Sequence, residues 1–206
     1  MSKNDPRNQE LYVSIDIETD GPNPMRNSIR SIGAAIYNDK GKKLGEFYKK
    51  LEQLPGHQPS EYTLNNFWLK PENKAAWEEA QKDPENPHKV MEKFSEWVDS
   101  FPGVKVAVAQ PVSFESAWIW SYCCEFGIQN PAFTRWIDIR SFAMGASGKD
   151  YKDMGYEFQR PEWLSDFPHT HIAIDDAIEQ GDRFMKILRW RQQHELEEAK
   201  PGRAVD

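Results

Sequence analysis

The stretch Leu11-Tyr12-Val13-Ser14-Ile15-Asp16-Ile17-Glu18 alternates apolar and polar side chains. Such period-two alternation marks a half-buried strand, on which side chains at i and i+2 share a face. Val13, Ile15 and Ile17 therefore point into a core, and Asp16 and Glu18 point the other way. Two carboxylates are held side by side on a rigid element where it meets the turn-rich loop Thr19-Asp20-Gly21-Pro22-Asn23-Pro24. Their repulsion is costly unless protons or cations intervene. Oxygen ligands of this kind suit Mg²⁺ or Mn²⁺. A strand face that simply meets water can carry the same pair.

Working outward, residues 28–37 and 43–51 read as two further strands, joined by the hairpin signal Asn38-Asp39-Lys40-Gly41. A loop over 55–59 precedes helices predicted over 60–69, 72–81 and 87–101, the last with Val90, Phe94 and Trp97 on one face. Residues 104–109 form a short apolar run, hence a buried strand, and 114–126 an apolar helix closed by Gly127. A short last strand over 136–139 leads to a helix near Phe142, and 145–168, rich in Gly, Pro and aromatics, reads as a long surface loop. The final helix is predicted from about 172 to 197, with Ile174, Ala177, Ile178, Gly181, Met185 and Leu188 as its apolar stripe. Three strands, then helices, then strand–helix alternation predict an α/β fold with a mixed sheet.

The length of 206 residues suits one domain with a sizeable core, here placed at 11–195, with a disordered lead-in over 1–10 and a polar tail over 196–206. Eight Trp imply a large aromatic core or faces that stack on something. The formal charge of −7 lacks the bulk basic footprint of a protein that grips long duplex DNA. It suits a nuclease only if bound cations supply the positive charge at the phosphate. Cys123 and Cys124 are adjacent and fit neither a zinc site nor a disulfide framework, as in a reducing compartment. The polar N-terminus and the lack of a long apolar run lead us to expect a soluble, cytoplasmic protein.

A second cluster is His171-Ile172-Ala173-Ile174-Asp175-Asp176-Ala177. His171 sits where the long loop joins the last helix, titrates near neutrality and can serve as a general base. Asp176 follows within a turn and a half. Acids in a first helical turn also simply favour the macrodipole. His169 is a rival for the base role.

Together these residues resemble the DEDD exonuclease superfamily in its histidine-bearing, DnaQ-like (DEDDh) branch. The first motif is Ser14-Ile15-Asp16-Ile17-Glu18-Thr19-Asp20-Gly21, and the third is the H-x-A-x-x-D-A pattern of His171, Ala173, Asp176 and Ala177. Asn65-Asn66-Phe67-Trp68-Leu69-Lys70-Pro71, followed by Ala75-Ala76-Trp77, is similar to a segment of phage-type members. Trp136-Ile137-Asp138-Ile139-Arg140 is similar to the strand after the second motif. The resemblance runs from about Leu11 to Leu188. It departs at the second motif, where Glu115 follows Phe114 in place of the family's Asp, and where Gln110 and Pro111 replace more usual polar residues. The extra methylene moves the carboxylate by roughly 1.5 Å, an error that can lower rates by on the order of a hundredfold if unrelieved.

The resemblance implies a ribonuclease H-like three-layer fold, with a mixed five-stranded sheet and helices on both faces. It also implies a 3′–5′ exonuclease that uses two divalent cations, Mg²⁺ or Mn²⁺, acts on single-stranded RNA or DNA 3′ ends and releases nucleoside 5′-monophosphates. Asp16 would bridge both cations. Glu18 and Asp176 would complete the site nearest the attacking water, His171 would deprotonate that water, and Glu115 would serve the second cation. Ile17 and Thr19 would contact the terminal nucleotide, with Thr19 near its 3′-hydroxyl. Phe67 and Trp68 are candidates for base stacking, although core packing of a helix is the stronger reading of the pair. Many members of that superfamily dimerise, so a homodimer is compatible with the resemblance, although no patch in the sequence marks one. The alternative is a catalytically weakened nucleic-acid-binding or protein-interaction module on the same fold. A carboxylate-pair glycosidase accounts for the acids but not for His171.

Overall fold

The computed structural model describes residues 9–155 and 160–198. The lead-in and tail expected from the sequence lie largely outside them. A five-stranded sheet runs in the order β3-β2-β1-β4-β5. Its strands are β1 (Glu10–Thr19), β2 (Ile29–Asn38), β3 (Lys43–Lys50), β4 (Val104–Ala109) and β5 (Trp136–Asp138). β1 pairs antiparallel with β2 and parallel with β4, so the sheet is mixed, as expected. The helices are α1 (Glu61–Thr63), which continues as a π-helical turn over Leu64–Trp68, then α2 (Lys74–Ala80), α3 (Pro87–Asp99), α4 (Val112–Phe126), α5 (Ile139–Ser147) and α6 (Ala173–Glu198).

The alternation of β1 sorts the core into two layers. Leu11, Val13, Ile15 and Ile17 pack beneath the sheet with Val90, Phe94 and Val98 of α3 and Trp118, Ile119 and Tyr122 of α4. Tyr12 faces the other layer, with Ile139 and Ala143 of α5 and Phe184, Met185 and Leu188 of α6. Each such side chain, fully enclosed, contributes roughly 1.5–3 kcal/mol of transfer free energy. The Trp residues are mostly core: Trp68, Trp118 and Trp163 are among the largest fully buried side chains, whereas Trp120 is 54% exposed.

Two glycines let α6 lie close on the sheet. A Cβ at Gly33, the β2 partner of Asp16, would stand 2.1 Å from the Ala173 carbonyl oxygen at the start of α6. A Cβ at Gly181 would stand 2.6 Å from the Tyr37 ring and 2.9 Å from Ser14 Cβ. The close approach is what carries the first turns of α6 over the end of β1.

The segment read from sequence as a surface loop over 145–168 is more structured. It carries the end of α5 and short 3₁₀ turns at Tyr151–Met154 and Pro161–Trp163. Met154 and Trp163 are buried in the layer of α6, and Trp163 meets Trp190 edge-on at 5.2 Å. Lys186 Nζ donates to the Leu164 carbonyl at 2.8 Å, and Ser165 Oγ donates to Asp182 at 3.1 Å. Isolated aromatics among Gly and Pro give no period to read, and tertiary burial decides their place.

Candidate active site

The site lies where the C-terminal end of β1 meets the N-terminal end of α6. Asp16 and Glu18 leave the same face of β1, toward α6, as the alternation predicts. The carboxylate oxygens of Asp16, Glu18 and Asp176 lie within 4.8 Å of one another. Glu18 is 8% exposed and Asp176 3% exposed, so this is a desolvated cluster of like charges. Burial first, and then Glu18, Glu115, Asp176 and Glu179, hold the Asp16 carboxyl well above its ordinary range. Burial, then Asp176 and Glu115, do the same to Glu18. Such crowding is stable only with protons or with cations among the oxygens.

Asp176 is placed by backbone as well as by its helix. Its Oδ1 accepts the Thr170 N–H at 2.8 Å, and its Oδ2 accepts the His171 N–H at 3.0 Å. The chain can turn so because His171 adopts a left-handed φ of +59°, an uncommon conformation for a non-glycine residue. The His171 ring is edge-on to Phe67 at 5.0 Å and to His169 at 4.6 Å. It therefore packs edge-on against two rings. Burial, and then His169, lower its pKa below the ordinary histidine value, which favours the neutral imidazole that a base requires. His169 Nδ1 lies 3.2 Å from Asp176 Oδ2. It thus sits beside the same acid.

Glu115 stands in the first turn of α4, 4% exposed, with its Oε2 enclosed and unpartnered. Burial pushes its carboxyl up to about 8. It acts electrostatically on Asp16 and Glu18, yet it is outside the group of three whose oxygens converge within 4.8 Å. Asp138 ties its helix down: the Val112 N–H donates to Asp138 Oδ2 at 3.3 Å, while Oδ1 caps α5 through Ser141 N–H at 2.7 Å. An orphaned buried carboxylate oxygen beside three crowded ones is a donor set suited to hard divalent cations, so the residues fit such ions.

The expected nucleotide contacts fare differently. Thr19 is buried, its Oγ1 donating to the Gly21 carbonyl at 2.9 Å. Ile17 points into the core beneath the sheet, so only its backbone is available to a nucleotide. Phe67 is half-buried against His171. Trp68 is a correction: it is 1% exposed, stacks on Trp77 at 5.2 Å, and donates Nε1–H to the Thr19 carbonyl at 2.8 Å. It braces the site from behind and offers no face to a base.

The sequence reading missed a polar network on the buried side of α6. Gln180 Nε2 donates to the Ile15 carbonyl at 2.7 Å, and its Oε1 accepts the Gln110 N–H at 3.1 Å. Arg183 Nη2 donates to Gln110 Oε1 at 3.1 Å. The amide of Gln180 thus joins the strand of Asp16 to the end of β4, just before the helix of Glu115. A signal existed: Asp176, Glu179, Gln180 and Arg183 recur at i, i+3, i+4 and i+7, the spacing of one helix face.

A sequence model of the family described as 3′-5′ exoribonuclease Rv2179c-like domain matches residues 11–188. The chain belongs to this family. Its activity is that of a 3′–5′ exonuclease. A curated relative, the 3′-5′ DNA exonuclease Cap18 of Escherichia coli, is 26% identical over 196 residues, covering 92% of this chain and 97% of that protein. Among solved structures, the nuclease domain of 3′hExo, a DEDDh family member bound to rAMP, is similar with a TM-score of 0.62 at 14% identity, covering 96% of this chain and 97% of that one. The zinc-bound E. coli ExoI–ssDNA complex also gives a TM-score of 0.62 at 14% identity, covering 92% of this chain and 42% of that one. At these identities the structural likeness shows the fold, which is the ribonuclease H-like architecture of DEDDh exonucleases, as the sequence resemblance implied. Among the described residues, no helix is long and apolar enough to cross a membrane.

Proposed function

We propose that this family member removes nucleotides from single-stranded 3′ ends with Asp16, Glu18, Asp176, Glu115 and His171 as its catalytic set, within one domain spanning about 11–195. The observation that carries the reading is the convergence of the three carboxylates within 4.8 Å beside His171. Asp16, Glu18 and Asp176 would hold one divalent cation, and Asp16 with Glu115 a second. When bound, Mg²⁺ or Mn²⁺ supplies Lewis-acid polarisation of the phosphodiester and neutralises the charge that builds on its oxygens. His171, neutral and packed edge-on against Phe67 and His169, accepts the proton of the attacking water through a ring nitrogen. Oxygen adds to phosphorus, the bond to the departing 3′-oxygen breaks, and a nucleoside 5′-monophosphate leaves.

Phe67, half-buried beside His171, would meet a terminal base, and the Thr19 backbone, braced by Trp68, would meet the sugar end. The family description names an exoribonuclease and the curated relative a DNA exonuclease, so both sugars are tested. Matched single-stranded RNA and DNA, labelled at the 5′ end, are incubated with Mn²⁺ and wild type or Asp16→Ala. The expected result is stepwise shortening from the 3′ end by wild type. The variant should be slower by about a hundredfold to a thousandfold, the range set by charge-stabilising groups. Undiminished cleavage by Asp16→Ala would remove the proposed centre.

A further inference from the structure

One buried acid has no task in the mechanism above. Glu179 lies at i+3 from Asp176 on α6, so both side chains leave the same face of the helix. It is 5% exposed, and its Oε1 is enclosed without a hydrogen-bond partner. Glu179 lines a cavity of about 370 Å³ together with Asp16, Asp176, Gln110 and Arg183. Arg183, a turn further along, lowers the Glu179 pKa, but burial outweighs it and the carboxyl is held above its usual range. The Arg183 Nη2 is given to Gln110.

A carboxylate oxygen enclosed in this way is costly unless a positive charge joins it. The arrangement of the neighbours says where that charge would sit. Asp16, Asp176 and Glu179 line the same cavity, and Glu179 follows Asp176 on one face of α6. Asp16 and Asp176 thus belong both to the convergent trio and to the lining shared with Glu179, and Asp16 is the one of them assigned above to both cations. Mg²⁺ and Mn²⁺ keep several waters and need only one or two carboxylates from the protein, which Asp16 and Glu179 provide.

We propose that Glu179 is a fifth carboxylate ligand of this centre, sharing with Asp16 the cation assigned above to Asp16 and Glu115. The inference rests on the metal-dependent reading of the site. It gives the departure at the second motif a physical context: where Glu115 stands outside the convergent trio, a second acid from α6 lines the cavity beside Asp16.

The test is Mn²⁺ binding by the full chain, counted by electron paramagnetic resonance of the free ion and checked by calorimetry. Wild type, Glu179→Gln, Glu179→Asp and Asp16→Asn are compared, each confirmed folded by circular dichroism. Wild type should bind two Mn²⁺. Glu179→Gln should keep one and weaken the other by more than the roughly tenfold that even an indirect partner of a ligand costs, with Glu179→Asp in between. Asp16→Asn should weaken both. Wild-type isotherms for both Glu179 variants would overturn the proposal and leave Glu179 a structural partner of Arg183. Wild type that binds no Mn²⁺, or Asp16→Asn that retains both ions, would instead bring down the reading on which it rests.

Discussion

Replacing Glu115 by Gln should make the metal-free protein less sensitive to alkali. The folded protein holds the Glu115 proton up to about 8, against an ordinary value of 4.5. The unfolded chain sheds that proton earlier, so between these values the folded state binds more protons. Its stabilising contribution is complete below pH 4.5 and is lost as the pH rises toward 8. At about 1.36 kcal/mol per pKa unit, the loss reaches about 3 kcal/mol by pH 7, an order-of-magnitude figure. Gln has nearly the same shape and no charge to bury, so it lacks this term. Glu115 also raises the Asp16 and Glu18 carboxyls, so its neutralisation relieves them and acts in the same direction. Urea unfolding in a chelator, from pH 4.5 to 7, reads the difference between the two proteins. For a chain of this length it corresponds to a shift on the order of 10 °C in Tm. Wild-type and Glu115→Gln stabilities that run parallel across the window would refute the claim that this carboxyl is charged at a cost within the fold.

Two further substitutions probe how the site is assembled. Gly33→Ala puts a Cβ where the backbone carbonyl of Ala173 stands, 2.1 Å away, so α6 itself must move. We expect destabilisation of at least about 1–3 kcal/mol and a loss of activity on the order of a hundredfold from displaced Asp176. Full activity in this variant would show that the close approach of α6 is not needed. Trp68→Phe removes the Nε1–H given to the buried Thr19 carbonyl and should cost roughly 1–3 kcal/mol in urea unfolding. It should also raise KM more than it lowers kcat, since the Thr19 turn is proposed to meet the substrate. Unchanged KM would separate that turn from binding.

The strand of Asp16 and Glu18 was legible in the sequence because alternation is a local property: successive side chains leave opposite faces of a strand whatever surrounds them. The same holds for the hairpin at Asn38–Gly41 and for the helix bearing Asp176. It did not hold for 145–168, where Met154 and Trp163 are bound by partners far along the chain. Nor did it hold for Trp68, where local sequence left base stacking open beside core packing and only burial of the ring decides for the core.

The sequence by itself thus determined which groups carry charge, which face of each element they leave, and the family to which the pattern belongs. Only the tertiary structure decided which acids meet. Gly33 and Gly181 set how near α6 comes to β1, and that separation decides whether Asp16 and Asp176 repel across water or crowd into one desolvated cluster. It also brought in Glu179, Gln180 and Gln110, whose parts depend on burial and on neighbours remote in sequence. Burial turns an ordinary carboxylate into one that needs a counter-charge, and no spacing along the chain encodes burial directly.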